Sequence, residues 1–210
     1  MKYAGMPFGM WQVFACSFKK QLGNVFGYDA AQAKTITNKA KIKYREIISD
    51  LPEFEKEDRF KMNLVNCAMV AAFILSMPER PEVEKLTRYY ADSMMTKPMK
   101  WFCRLSGKSK FTKKDIEGMK ATEKLRAADR NPYSWNMNYY EYPDGSGYEA
   151  RFTKCGICVL MKKLGLYDLT PALCHLDYTM SEAGGASRFV RECTLASGGP
   201  YCDCGYKKKN

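Results

Sequence analysis

The sequence lacks any apolar run approaching the roughly 18 residues of a membrane-spanning helix, and it contains no internal repeat and no low-complexity linker. No segment combines a basic start, a continuous apolar run and a small-residue cleavage site, as a secretory signal does. The cysteine count of nine is odd. These absences predict a cytoplasmic protein with free thiols, and a chain of 210 residues needs no disulfide framework to stabilise its core.

Ordered nucleic-acid-binding motifs are also missing, although the formal net charge is +11. The basic residues are spread along the chain, and their only runs are 97–114 and 207–209. A diffuse excess of this kind is typical of a solvated surface with a solubilising tail. We therefore expect no nucleic-acid partner, while a basic surface can still steer a small anion toward a site.

Helical spacing dominates the first 130 residues. Residues 1–20 predict an amphipathic helix that packs on the domain, and membrane contact is the less favoured alternative. Asp29 predicts the N-cap of a helix over 30–48 with one buried stripe. Pro52 predicts another helix start, and 64–75 is apolar on nearly every side, as in a central core helix. Further helices are expected over 82–95, along an apolar face from Trp101 to Gly107, and over 113–129 behind Thr112.

The period changes from helical to alternating at Tyr133, which predicts two hairpins separated by short helices. The first hairpin turns at 143–147, and its return strand covers 148–153. The second pairs 187–196 with 201–207 around a turn at 197–200.

In the second hairpin, this pairing sets Leu195 opposite Cys202 and Cys193 opposite Cys204. Strand alternation then directs Cys202 and Asp203 to opposite faces of the sheet. The predicted fold is a single α+β domain over 1–210. A mainly helical region, 1–130, packs on a C-terminal antiparallel sheet built from the two hairpins of 131–210.

Thiols are concentrated in the last quarter of the chain. Six of the nine cysteines lie there together with the single histidine, a density that packing alone does not require. If the protein has a chemical centre, we expect it in this stretch. The six cysteines are Cys155, Cys158, Cys174, Cys193, Cys202 and Cys204.

Three interpretations compete for this cysteine cluster. A zinc site could take four thiolates, two from 155–158 and two from 202–204, but zinc ribbons usually place paired cysteines in glycine-rich turns. A redox interpretation uses Cys155 and Cys158 at a helix start, where the helix dipole lowers a thiol pKa. The βαβ pattern of a thioredoxin is absent, so this interpretation lacks its usual context.

The third interpretation is a nucleophilic thiol beside a carboxylate. On one helix, Cys174 and Asp177 are three residues apart and share a face, whereas His175 is turned about 100° away. Asp177 can therefore tune Cys174 or a substrate amine more readily than His175 can. For His175 a partly buried hydrogen-bonding role is at least as well supported as that of a base, and Cys193 and Cys204 are expected to be small core residues.

The segments 154–158, 171–178 and 191–203 resemble the L-2-amino-thiazoline-4-carboxylic acid hydrolase family. The helical half, with Gly27-Tyr28-Asp29 at a helix start, is consistent with that family over most of the chain. The resemblance implies a hydrolase that opens a cyclic amidine. Water adds at the C=N carbon of an aminothiazoline carboxylate and gives an S-carbamoyl cysteine product.

The resemblance also implies the site residues. Its matching positions are Cys174, Asp177, Cys202 and Asp203, with Cys155 a weaker match. The family usually has an aromatic residue after the final Cys-Asp, where this chain has Cys204, and this departure bears on the substrate more than on the fold.

The roles of the site residues follow from their chemistry. Cys174 or Cys202 is expected to act as nucleophile or transition-state contact, Asp177 and Asp203 as acid, base or amine-binding groups, and His175 as a proton shuttle. For substrate binding we expect Cys155, with Arg188 or Arg191 holding a carboxylate.

A second similarity points to a different class of function. Glu192-Cys193, followed by Gly199 and Cys202, is also similar to vinyl-reductase-type small-molecule-binding domains, which sense ligands without turning them over. The expected partner in either case is a small molecule, for the hydrolase a carboxylate. We expect no metal, no cofactor and no membrane partner, and a homodimer stays open.

Overall fold

Helices form most of the first 130 residues, and the remainder of the chain forms a small sheet with three short helices. The computed structural model describes residues 9–128 and 130–209. The helices before the first strand are α1 (Gly9–Phe26), α2 (Ala30–Ser49), α3 (Lys61–Ile74), α4 (Val83–Met94), α5 (Lys97–Ser109) and α6 (Lys113–Ala127). The later ones are α7 (Gly156–Lys163), α8 (Thr170–Cys174) and α9 (Leu176–Gly184).

The sheet is antiparallel and has four strands in the order β1-β2-β4-β3. The strands are β1 (Asn138–Glu141), β2 (Gly147–Phe152), β3 (Ser187–Val190) and β4 (Cys202–Lys208). The long connection from β2 to β3 contains α7, α8 and α9, so the two hairpin regions meet through the β2–β4 pairing. The predicted α+β fold is confirmed.

The core is organised around α3, whose side chains from Leu64 onward are buried with the single exception of Asn66. The ring of Phe73 stacks on Trp11 at 5.7 Å and on Phe18 at 5.0 Å, which joins α1 to α3. The predicted central helix is therefore confirmed. Its first turn begins only at Lys61, later than the start expected at Pro52.

Local sequence signals set the bounds of α1 and α2. Asp29 caps α2 in a reciprocal pair of hydrogen bonds with Gln32, as expected from the sequence. The first helix was predicted to stop near residue 20, but α1 continues to Phe26 and ends before Gly27, whose φ is +76°. The part of that prediction covering residues 1–8 lies outside the described residues, as does residue 129 at the predicted end of α6.

The prediction for the region around Trp101 is wrong in two respects. Gly107 lies inside α5 rather than at its end, and a Cβ atom built there would be 2.2 Å from the carbonyl oxygen of Gly184 in α9. Because α5 approaches α9 along its small residues, its large apolar side chains point outward. Trp101 is 64% exposed, and Phe102 and Leu105 are also exposed.

The second hairpin differs from its predicted register by two positions. Val190 pairs with Gly205, and β3 ends there. The Asp203 carboxylate accepts hydrogen bonds from the backbone N–H groups of Glu192 (2.6 Å) and Cys193 (2.8 Å). Because these N–H groups donate to a side chain, they are not available for backbone hydrogen bonds between β3 and β4. A short 3-10 turn capped by Thr194 follows. Leu195 and Cys193 are therefore not paired in a strand as expected.

The first hairpin is confirmed, with a shorter first strand than predicted. Residues 133–137 are irregular, although Trp135 and Met137 are buried. None of the described helices is both long enough and apolar enough to cross a bilayer.

Candidate active site

One face of the sheet forms a wall of a cavity of about 280 Å³. Alternate residues of β2 and β4 point into it, and they lie directly opposite one another in three cross-strand pairs. The predicted placement of Cys202 and Asp203 on opposite faces is confirmed, because Cys202 lines the cavity and Asp203 does not. The pairs are Tyr148 with Tyr206, Ala150 with Cys204, and Phe152 with Cys202.

The opposite walls come from the helices. The segment before α3 and α3 itself supply Arg59 and Asn66, α4 supplies Tyr90, and the end of α5 supplies Lys110. The remaining charged and thiol groups come from the connection between the hairpins. They are Cys155 before α7, Cys174 at the end of α8, Asp177 in α9 and Arg191 after β3.

Cys155 is the N-cap residue of α7 and is only 9% exposed. Its pKa is lowered, first by the neighbouring thiol of Cys158 and further by the backbone N–H groups of Cys158 and Ile157 and the side chain of Trp135. Burial opposes this effect. The side chain closes no regular capping hydrogen bond. The start of a helix favours a thiolate.

The pKa values of the other cavity thiols are raised rather than lowered. Burial raises the pKa of Cys174 and of Cys202, and it raises that of Cys204 to about 12. Cys158 does not line the cavity, and its pKa is raised by its contact with Cys155 and by burial. At neutral pH these groups are neutral thiols, and Cys155 is the cavity cysteine whose environment favours ionisation.

Arg191 joins three parts of the wall. Its Nη1 donates to the carbonyl oxygen of Cys174 at 2.8 Å, and its Nη2 donates to Asp177 at 2.6 Å and to the sulfur of Cys204 at 2.9 Å. Cys174 and Asp177 both line the cavity, but the single helix expected to carry them is broken at His175, so Cys174 ends α8 and Asp177 lies in α9. The guanidinium is 7% exposed, whereas Asp177 is 42% exposed and open to a ligand.

Two buried polar atoms of the wall have no hydrogen-bond partner among the described residues. They are the Nε donor of Arg191 and the Oδ1 acceptor of Asn66. Buried polar groups in folded proteins are usually hydrogen-bonded, so unsatisfied ones call for an explanation. One unsatisfied donor and one unsatisfied acceptor in the lining of one cavity suit a small polar ligand.

The structure brings together five of the predicted site residues: Cys155, Cys174, Asp177, Arg191 and Cys202.

Three other predicted site residues do not line the cavity. His175 is exposed, with its ring 5.1 Å from that of Tyr178, and Arg188 is exposed on β3. Asp203 is buried and bonded to the backbone of the β3–β4 connection. Their predicted chemical roles stay predictions, but none of the three contacts the cavity.

Sequence reasoning missed Arg59, Asn66 and Lys110, which reach the cavity from the helical half. They stand far from the cysteine-rich stretch in the sequence and belong to no motif.

Among residues 9–128 and 130–209, no group of three or more His, Cys, Asp or Glu side chains is arranged to hold a metal ion. The described residues therefore provide no set of ligands for the zinc interpretation.

The helical half, the four-stranded sheet and the thiol-lined cavity define an α+β protein with a small, partly open site. The family model described as L-2-amino-thiazoline-4-carboxylic acid hydrolase matches residues 62–206. The match covers more than half of the 210 residues, and the chain belongs to this family, which confirms the resemblance of the three cysteine-bearing segments. No curated protein and no solved structure matches the chain.

Proposed function

We propose that this protein hydrolyses a small cyclic amidine bearing a carboxylate, of the aminothiazoline-carboxylate type, by breaking a ring carbon–nitrogen bond. The observation that carries the proposal is Cys155, a cavity thiol with a lowered pKa at the start of α7. Membership of a family named for such a hydrolase supports it. A cavity of about 280 Å³ lies below the size range of drug-binding pockets and suits a ligand of this size.

In the proposed reaction the Cys155 thiolate attacks the amidine carbon, and the ring carbon–nitrogen bond breaks. The ring nitrogen takes up protons and leaves as an amine, while the carbon remains bonded to the Cys155 sulfur. Water then adds to this carbon, the Cys155 thiolate leaves, and the protons are returned. The net change is the consumption of one water and the formation of an S-carbamoyl cysteine product. A thiolate of low pKa serves both as nucleophile and as leaving group.

Asp177 is suited to bind the substrate's amino group. Its Oδ2 accepts from Arg191, and its Oδ1 takes part in no hydrogen bond with the described residues. A charge-assisted hydrogen bond from an amidinium N–H to this oxygen would orient the ring. The thiols of Cys174 and Cys202, held neutral by burial, are contacts for the bound ring rather than nucleophiles in this scheme.

The test is the initial rate of L-2-amino-thiazoline-4-carboxylate hydrolysis by the purified, reduced protein. We expect Cys155→Ser to reduce kcat at least about 10³-fold, as loss of a nucleophile does. Cys174→Ser and Cys202→Ser should stay within about tenfold of wild type. Cys16→Ser changes an exposed cysteine outside the cavity and serves as the matched control.

Two results would contradict the proposal in different ways. Full activity in Cys155→Ser, with activity lost in Cys174→Ser or Cys202→Ser, would move the nucleophile to one of those residues. No turnover by the wild-type protein, together with a ligand-induced rise in Tm, would favour the sensor-like binding domain over the hydrolase.

A further inference from the structure

We infer that Lys110 forms a carboxylate-binding subsite in this cavity and that its ammonium group pairs with the acidic group of a small ring ligand. The identity of the ring rests on the proposed function, whereas the presence of the subsite rests on the geometry of Lys110 alone. The sequence pointed instead to Arg188 or Arg191 for this role.

Lys110 follows the last turn of α5, where two pockets meet. It lines the main cavity and also an adjoining pocket of about 160 Å³ between α5 and α9. Its Nζ lies 3.3 Å from the ring centroid of Tyr206 and 5.2 Å from that of Tyr148. Both tyrosines belong to the cavity face of the sheet, so the ammonium stands on the cavity wall rather than in bulk water.

The ammonium of Lys110 forms no salt bridge with the described residues. No carboxylate among the described residues lies within ion-pairing distance of it, and its side chain donates no hydrogen bond within the described part of the chain. By contrast, Arg191 already donates to Asp177, Cys174 and Cys204, and Arg188 is exposed on β3. Asp115 and Asp177 act on the ammonium from beyond ion-pairing distance, and a partly buried cation of this kind is further stabilised when an anion binds directly beside it.

The backbone next to Lys110 is held in a strained conformation. Phe111 has a φ of 63° and is the one non-glycine residue with positive φ in the described ranges. Its N–H donates to Asp115 Oδ2 at 2.9 Å, and the same oxygen accepts the Tyr148 hydroxyl at 2.7 Å. The Phe111 ring also packs edge-on against Tyr148 at 5.4 Å. Such strain persists only where the surroundings fix it, and it is concentrated at functional sites.

Burial lowers the pKa of Lys110 from 10.5 to about 8. The ammonium is therefore mostly present at pH 7 and is lost as the pH rises through 8. A bound carboxylate favours the charged form, so ligand binding should take up protons near pH 8. Three groups that face Lys110 raise its pKa: Asp115 from α6, Asp177 from α9 and Cys204 from β4. Arg59, from the segment before α3, lowers it. The phenols of Tyr148 and Tyr206 also face the ammonium, and both are neutral.

The test uses two ring ligands that cannot undergo amidine hydrolysis, L-thiazolidine-4-carboxylate and its uncharged carboxamide. Calorimetric Kd values at pH 7 should favour the carboxylate about tenfold in the wild-type protein. Lys110→Met should bring the two Kd values together, with the carboxamide Kd changed less than about twofold. Lys108→Met, at an exposed position in the last turn of α5, should keep the wild-type preference.

The pH dependence separates a direct contact from a structural effect. Above pH 8 the wild-type Kd for the carboxylate should weaken by about tenfold in total and level off near the carboxamide Kd, which stays constant. Lys110→Arg should keep the preference for the carboxylate and lose this pH dependence, because a guanidinium stays charged.

A wild-type protein that binds neither ligand, or binds both equally, would overturn the inference. So would a Lys110→Met protein that keeps the preference. A preference that depends on Lys110 in a protein without hydrolytic activity would support the subsite and reject the proposed function.

Discussion

Arg191 and Asp177 form an ion pair of 2.6 Å that links the end of β3 to α9 at the cavity wall. Asp177 is 42% exposed, so the pair should be worth less than a fully buried one. In a double-mutant cycle of Asp177→Asn and Arg191→Met, we expect a coupling energy of about 1–2 kcal/mol in urea unfolding. The exposed pair of Arg80 and Asp168 is the control, with an expected coupling below about 0.5 kcal/mol. Equal couplings for the two pairs would contradict this prediction.

Asp203 is predicted to stabilise the β3–β4 connection rather than to take part in chemistry. Its carboxylate accepts two backbone N–H groups and lies on the face of β4 away from the cavity. Asp203→Asn can accept only one of these hydrogen bonds well, so we expect the free energy of unfolding to fall by about 1–3 kcal/mol. Turnover by the folded enzyme should stay within about threefold of wild type. A roughly hundredfold slower turnover at unchanged stability would instead indicate a chemical role.

Those parts of the fold that depend on local sequence signals could be predicted. Asp29 and Gln32 define the start of α2, and the period-2 alternation separates Cys202 from Asp203. Cys174 and Asp177 both line the cavity, as their close spacing suggested, although they lie on two helices rather than on the one expected. Each of these outcomes follows from residues within about one helical turn or a few strand positions of one another.

The remaining features depend on contacts between distant segments. The register of β3 on β4 follows from a side-chain hydrogen bond of Asp203 that competes with the strand ladder. Trp101 is exposed because Gly107 packs against Gly184, a contact that the sequence of α5 does not reveal. Lys110 belongs to the site because α5 ends beside β4. None of these pairings has a periodic or motif signal.

The contact between Gly107 and Gly184 predicts a sharp difference between two glycines. A Cβ atom at Gly107 would lie 2.2 Å from the backbone oxygen of Gly184, so Gly107→Ala must separate α5 from α9. We expect a loss of stability of about 1–3 kcal/mol and a higher KM, because α9 carries Asp177. The control is Gly118→Ala in α6, where nothing lies within 4 Å of the added atom, and it should gain about 0.5–1 kcal/mol. A neutral Gly107→Ala in denaturant unfolding would show that the helices separate without cost.

Cys158 is predicted to act on the reaction through Cys155. Its thiol is the largest influence that lowers the pKa of Cys155. Cys158→Ala removes this donor, so the pKa of Cys155 should rise and less thiolate should be present at pH 7. We expect the acidic limb of the pH profile of kcat/KM to move to higher pH and the rate at pH 7 to fall, with less change at pH 9. Cys158→Ser restores a hydroxyl donor and should recover most of the wild-type profile. A merely structural role for Cys158 would instead lower kcat/KM equally at every pH, and the limb would not move.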